Sequence, residues 1–261
     1  MSFSLVHYLA VKSAVEKNHP DTVFFHFQYE PMGEWWRRTL PLVTLHPVIA
    51  PTFAEGRPLL HFAHKSDVLR LQMLQRYGGI YMDMDTICIK PFDELLDHHF
   101  VIGSELDAPF VPKNFRQQIK QDVKKWLGLE KKATTTVEGL CNAVMLSEPN
   151  SLFVNRWLKE YRSFRSQGHD KYWDEHSVQV PGKLAREMPE AVTIINPYAF
   201  YYPLYDKAGL AALFQEDHVY PGAYAHHLWE SFAWEPYLSK LTVKDIREKD
   251  TTYNRIARQY L

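Results

Sequence analysis

Between His64 and Lys90 the chain reads as helix, glycine pair, strand, acidic turn and strand, an order that an α/β domain accommodates and few other folds do. Ser66 is placed to cap the helix, with Asp67 in the first turn, where the helix dipole favours negative charge. Val68, Leu69, Leu71, Met73, Leu74 and Tyr77 give it a broad apolar face, and Gly78 supplies the terminus because glycine accepts a left-handed backbone. Gly79 leads into a strand over Ile80–Asp83, and Thr86–Lys90 alternates like another until Pro91 stops it.

The flanking text extends the same alternation. A helix is expected from Ser4 to Lys17, stopping at Asn18-His19-Pro20, then a strand over Thr22–Tyr29, a short helix over Gly33–Thr39 and a strand over Leu42–Leu45. Further on, Asn142–Ser147 reads as a strand, Asn150–Phe164 as an amphipathic helix, and Val192–Ile195 and Ala223–Trp229 as strands. This order predicts an α/β fold with a mixed, mainly parallel sheet and helices on its faces. Such sheets receive ligands at the carboxyl ends of their strands, where Asp83 and Asp85 fall. No repeat, low-complexity tract or Gly/Ser linker divides the 261 residues, so one domain over 1–261 is expected.

Composition narrows the class. With 30 Lys+Arg against 31 Asp+Glu, the net charge of −1 argues against a nucleic-acid binder that works by bulk charge. Cys88 and Cys141 cannot build a disulfide scaffold, which favours a reducing compartment. No apolar run approaches the roughly 18 residues of a membrane-spanning helix, and Met1-Ser-Phe-Ser-Leu5 lacks the layout of a signal peptide. A cytoplasmic protein is the expectation. Aromatic residues make up 14% of the chain, and such rings form flat platforms for sugars and bases, so a binding cleft is favoured.

Asp83-Met84-Asp85 would set two carboxylates on one side of an extended segment, because side chains alternate along a strand. Their mutual repulsion is relieved by a divalent cation, and Mg²⁺ or Mn²⁺ suits carboxylate and phosphate oxygens best. In isolation, two solvated turn aspartates explain such a pair better than a metal site does. Upstream, however, Asp67 and Arg70 share one face of a mostly apolar helix that feeds directly into the acidic turn. Ligand contact explains that placement better than a surface ion pair, which would contribute little.

The run from His64 to Asp85 closely resembles the S-D-x-x-R…Y-G-G-x-Y-x-D-x-D signature of glycosyltransferase family 32. These DXD sugar-binding-region enzymes include α-1,4-galactosyl- and α-1,4-N-acetylglucosaminyltransferases and yeast initiating mannosyltransferases. Weaker similarity extends to Gly139–Ser147 and to His227-Leu-Trp-Glu-Ser231, like the family's H-x-W segment. The resemblance implies a GT-A fold and metal-dependent, retaining transfer of a sugar from a nucleotide diphosphate sugar, UDP favoured over GDP, to a glycan or glycolipid. It implies Asp85 as the direct metal ligand, with Asp83 on the ribose or donor sugar and reaching the metal through water. Ser66, Asp67, Arg70 and Tyr81 match donor-side positions, and Gly78 and Gly79 would let the backbone turn beside the nucleotide. His227 would be a third metal ligand or diphosphate contact, with neighbouring His226 the alternative, and Trp229 and Ser231 would close over the phosphates. Glu138, Asn142 and Glu175 stand as candidate catalytic groups in cleft loops. Family members open with a strand of the type I-P-K-I-I-H-x-x-W; here either that strand is absent, weakening nucleotide binding, or Thr22–Tyr29 replaces it.

Two rival functions use the same residues. Ile80-Tyr-Met-Asp83-Met-Asp85-Thr86 also matches the h-h-h-D-x-D-x-T motif of haloacid dehalogenase-like phosphatases, with Asp83 as nucleophile and Asp85 as general acid. That fold needs a further acidic pair downstream, which the sequence lacks. The other rival is a sugar-nucleotide-binding relative that has lost turnover. Acceptor-side insertions are expected near 105–140 and 165–190. Within the first, residues 113–132 carry a basic face opposite an apolar stripe, which suits either a solvated helix or contact with an anionic membrane surface.

Overall fold

In the computed structural model, residues 2–106 and 137–261 are described. The basic, amphipathic segment 113–132 and most of the 105–140 insertion lie outside them. Helix α1 (Leu5–Asn18) opens at Ser4, whose Oγ accepts from the His7 N–H, and closes at His19 in a left-handed conformation. Strands β1 (Phe24–Phe27) and β2 (Thr44–Pro47) pair in parallel, joined through α2 (Glu34–Thr39). A small hairpin, β3 (Phe53–Ala54) and β4 (Arg57–Pro58), precedes α3 (Phe62–Tyr77). That helix begins a turn earlier than Ser66 suggested. His61 is the cap, its Nδ1 accepting from the Ala63 N–H, and Ser66 sits inside the helix.

Gly78 ends α3 with φ of 66°, and a Cβ there would lie 2.7 Å from Pro149, so glycine is required on two counts. The chain then runs through β5 (Gly79–Met82), β6 (Thr86–Cys88), β7 (Phe100–Leu106) and β8 (Val137–Ser147). Helices α4 (Leu152–Glu160) and α5 (Val180–Glu187) lead to β9 (Thr193–Ile195). After α6 (Lys207–Phe214) come β10 (Ala225–His227), the one-turn α7 (Glu230–Ala233), α8 (Val243–Glu248) and α9 (Thr252–Ala257).

A four-stranded sheet in the order β5-β8-β7-β9 forms the centre. It is mixed and mainly parallel in strand direction, as expected of this α/β fold: β5, β7 and β9 run in one sense, and β8, inserted between β5 and β7, runs antiparallel to both. Helices α4 and α5 lie between β8 and β9, and β8 alone runs against its neighbours, a direction that hydrophobic alternation does not reveal. β6 leaves this sheet and pairs antiparallel with β10.

Alternation along β7 and β8 divides the core. Val101, Val144 and Leu146 face a cluster with α1, Phe200, Tyr201 and the C-terminal helices. Phe100, Ile102 and Met145 face α3, α4 and α5 through Val68, Leu71, Phe153 and Trp157. Each large side chain fully buried this way contributes about 1.5–3 kcal/mol. β5 therefore emerges between two packed layers, and the segment that follows it is held at their junction.

Candidate active site at the Asp83–Asp85 turn

Strand β5 stops at Met82, and the Asp83 N–H donates to the Ala143 carbonyl of β8 at 2.8 Å. The chain then turns through Met84 and Asp85 before β6, so the carboxylates flank a turn instead of lying along a strand. They still converge. One oxygen of Asp83, one of Asp85 and one nitrogen of His227 lie within 4.8 Å of one another.

Asp83 is held from behind. Arg70 Nη1 donates to its Oδ2 at 3.2 Å and the Tyr81 hydroxyl to its Oδ1 at 2.7 Å. Arg70 Nη1 also reaches the Asn142 carbonyl and Oδ1, while Asn142 Nδ2 donates to Asp67 Oδ1 at 2.8 Å. The guanidinium lies over the Tyr81 ring, 4.7 Å from its centroid. Asp67 and Arg70 are each only 7% exposed. The helix face that the sequence singled out thus braces the acidic turn through a buried polar network, and Asn142 is the residue that ties it together.

Asp85 is held from the front. Its Oδ2 accepts the Glu230 N–H at 2.9 Å, its carbonyl accepts the Leu228 N–H at 2.7 Å, and His227 Nε2 stands 3.3 Å from Oδ1. Burial alone would push the Asp85 carboxyl up; the His227 imidazole and these hydrogen bonds outweigh it and hold it down at about 2. Burial pushes the Asp83 carboxyl up, with the Asp85 charge adding to that and Arg70 opposing it. Burial would lower His227, but the Asp85 carboxylate raises it above an ordinary histidine.

The loop that delivers these groups turns at Trp229, whose φ of 54° and ψ of 50° are left-handed, an outlier for so bulky a residue. Its indole N–H is engaged by the Pro203 carbonyl at 2.8 Å. Behind Glu230 stands His7 of α1, with Nε2 3.1 Å from the carboxylate.

Together these residues border an open cleft of about 800 Å³, with Phe62, Phe232 and Ser231 on its walls. Trp229, Ser231 and His227 border it as well, whereas Ser66 lies behind, its Oγ near Arg70 Nη2. Gly78 and Gly79 stand at the opposite end of β5 from Asp83, where they serve the turn out of α3. Glu175 does not border the cleft; it pairs with Arg165. Glu138 falls within β8, and its side chain lies outside the described residues. His226 points the other way, its Nδ1 on the Tyr202 carbonyl. Sequence reasoning missed His7, Glu230, Phe62 and Phe232. Only Glu230 carried a signal, as the residue next to His227-Leu-Trp229.

Two carboxylates and one imidazole are a donor set that suits Mn²⁺ or Mg²⁺, and the Asp85 and His227 donor atoms already face one another. The set fits a divalent cation.

The α/β scaffold thus presents an Asp-x-Asp turn to a histidine. Residues 8–101 match the family described as "Glycosyltransferase sugar-binding region containing DXD motif", the same family that the His64–Asp85 signature resembles. Among characterised proteins it is 37% identical over 257 residues to Glucan organizing enzyme 1 of Cryptococcus neoformans var. grubii, covering 97% of this chain. The chain spans 63% of the length of that relative. Distant likenesses, at 15% identity, reach the galactosyltransferase LgtC solved with donor and acceptor sugar analogs (98% of this chain, 92% of that one, TM-score 0.43) and the PaToxG glycosyltransferase (99% and 82%, TM-score 0.44).

Proposed function

We propose that this protein is a metal-dependent GT-A glycosyltransferase that moves a sugar, with retention, from a nucleoside diphosphate sugar to a glycan or glycolipid. UDP is the favoured nucleotide. The observation that carries the reading is the convergence of Asp83, Asp85 and His227 at the head of the cleft, within a chain whose residues 8–101 match the DXD family. Asp85, His227 and Asp83 would hold the cation, which when bound offsets the negative charge that develops on the departing diphosphate. Arg70 and Tyr81 occupy both oxygens of Asp83 and so fix the direction in which it presents its remaining lone pairs. The backbone N–H groups of Leu228 and Glu230 hold Asp85 to the loop that carries His227. The name of the Cryptococcus relative speaks of glucan organisation, which favours a glycan acceptor over a lipid.

The test is a donor panel of UDP-glucose, UDP-galactose, UDP-N-acetylglucosamine and GDP-mannose, with and without Mn²⁺, scored for released nucleoside diphosphate and for thermal stabilisation. Mn²⁺-dependent release from one donor, lost in Asp85→Asn, is the expected result. Stabilisation without release, even with an acceptor glycan present, would mean a binding protein. Silence in both readouts would overturn the proposal.

A further inference from the structure

The cleft above the Asp83–Asp85 turn has two features that the nucleotide-sugar reading does not use. The first is a pair of solvent-facing rings. Phe62, the first residue of α3, is 77% exposed, and Phe232 of α7 is 50% exposed. Isolated exposed rings on a protein surface need no explanation, but these two border the same concave site. Each is also backed by another ring. His61 packs on Phe62 with centroids 4.3 Å apart, and Tyr205 stacks on Phe232 at 5.0 Å and 23°. His61 is in turn propped edge-on by Trp173 at 4.8 Å. A ring supported in this way keeps its orientation without a ligand, so little ordering cost remains when an apolar face is laid on it.

The second feature is charge. The cleft is bordered by the carboxylates of Asp83, Asp85, Glu230 and Glu235, and among the described residues no lysine or arginine borders it. An anionic chain, or an acidic headgroup, would meet these acidic groups with no lysine or arginine on the cleft wall to receive its own charge. Carboxylates do, however, accept hydrogen bonds from hydroxyl groups, and a pyranose presents hydroxyls around its edge and C–H bonds on its faces. Fixed rings for the faces and acidic oxygens for the edges are complementary to an uncharged sugar chain.

We propose that Phe62 and Phe232 form a stacking platform for a neutral pyranose glycan, which lies across the cleft as the acceptor. The proposal rests on the transferase reading above and narrows it: the acceptor is a chain of uncharged sugars, not an acidic glycan and not an anionic lipid surface.

The experiment measures binding of laminarihexaose, cellohexaose and maltohexaose to the full chain by calorimetry, with an oligogalacturonate of equal length as the anionic control. Binding of UDP with Mn²⁺ is measured in parallel. At least one neutral hexasaccharide is expected to bind and the oligogalacturonate is not. Phe62→Ala and Phe232→Ala should each weaken glycan binding about tenfold, while Phe→Trp at either position retains it. Both residues are exposed, so thermal melting should show the variants folded, and their affinity for Mn²⁺ and UDP should stay within about twofold. Unchanged glycan affinity in both alanine variants would overturn the platform. Loss of UDP affinity in them, with glycan binding intact, would reassign the rings to the nucleobase. Binding of UDP with Mn²⁺ but of no neutral glycan would sink this inference and leave the transferase reading standing. If neither ligand bound, both would fall.

Discussion

The indole of Trp229 stands edge-on to the His227 imidazole, with ring centroids 4.3 Å apart and planes at 82°. One residue thereby sets both the ring angle of the histidine and, through its left-handed backbone, the path that brings the Glu230 N–H to Asp85. Trp229→Ala should lower Mn²⁺ affinity about 10- to 100-fold, the usual cost of losing an outer support of a metal ligand. Trp229→Phe keeps a ring beside His227 and should fall by less. Titration of Mn²⁺ by electron paramagnetic resonance gives the answer without any turnover, and equal affinity in all three proteins would show that the ring orients nothing.

Arg70 carries the brace behind the site. It is buried among Asp67, Asp83 and Asn142, so removing its charge leaves carboxylates uncompensated. Arg70→Met should destabilise the fold by about 3–5 kcal/mol in urea denaturation, and Arg70→Lys should recover only part of that, since an ammonium cannot make the same forked contacts. A loss below about 1 kcal/mol would place Arg70 among the weak surface pairs.

The two glycines after α3 should respond differently. Gly78→Ala forces a Cβ against Pro149 and the Ser147 carbonyl at a φ of 66° and should cost about 2–4 kcal/mol. Gly79 has a φ of 87° but open space, so Gly79→Ala should cost about 1–2 kcal/mol from the backbone alone. Chemical denaturation of the two variants side by side decides this; equal losses would remove the steric part of the argument.

On β1 and β2, His26 and His46 face each other with their Nδ1 atoms 2.9 Å apart. Burial, then the neighbouring His46, hold His26 down at about 4. An unfolded histidine titrates near 6.5, so between those values the unfolded chain binds more protons than the folded one. The stability from a neutral His26 is thus fully present above about pH 6.5 and is lost as pH falls towards 4, by roughly 1–2 kcal/mol given its partial exposure. Stability measured at pH 7.5 and 4.5 should show a shallower fall in His26→Leu; identical slopes would acquit this histidine.

Much of the site was legible because its chemistry is local in sequence. Asp67, Arg70, Tyr81, Asp83 and Asp85 fall within one helix–strand unit, and helical spacing already put Asp67 and Arg70 on one face. The choice between His226 and His227 was not legible. They are neighbours on a strand, so one must face the site and the other away, and only the pairing of His227 with Thr86 of β6 fixes which. His7 was invisible for another reason: its partner Glu230 is brought to it by packing, and nothing in the sequence around either residue marks the other. The direction of β8 escaped as well, because a strand buried on both faces has the same apolar text whichever way its neighbours run.

The Asp-Met-Asp turn bridges two sheets. Asp83 continues the four-stranded sheet through β5, whereas Asp85 opens the separate β6–β10 ribbon. A ligand gripping both carboxylates would therefore act as a rivet between two independently laddered parts, with Met84 as the seam. Its occupancy would be felt as slower opening of the ribbon and not only at the chemical centre, so amide hydrogen exchange along β10 becomes a gauge of whether the site is filled.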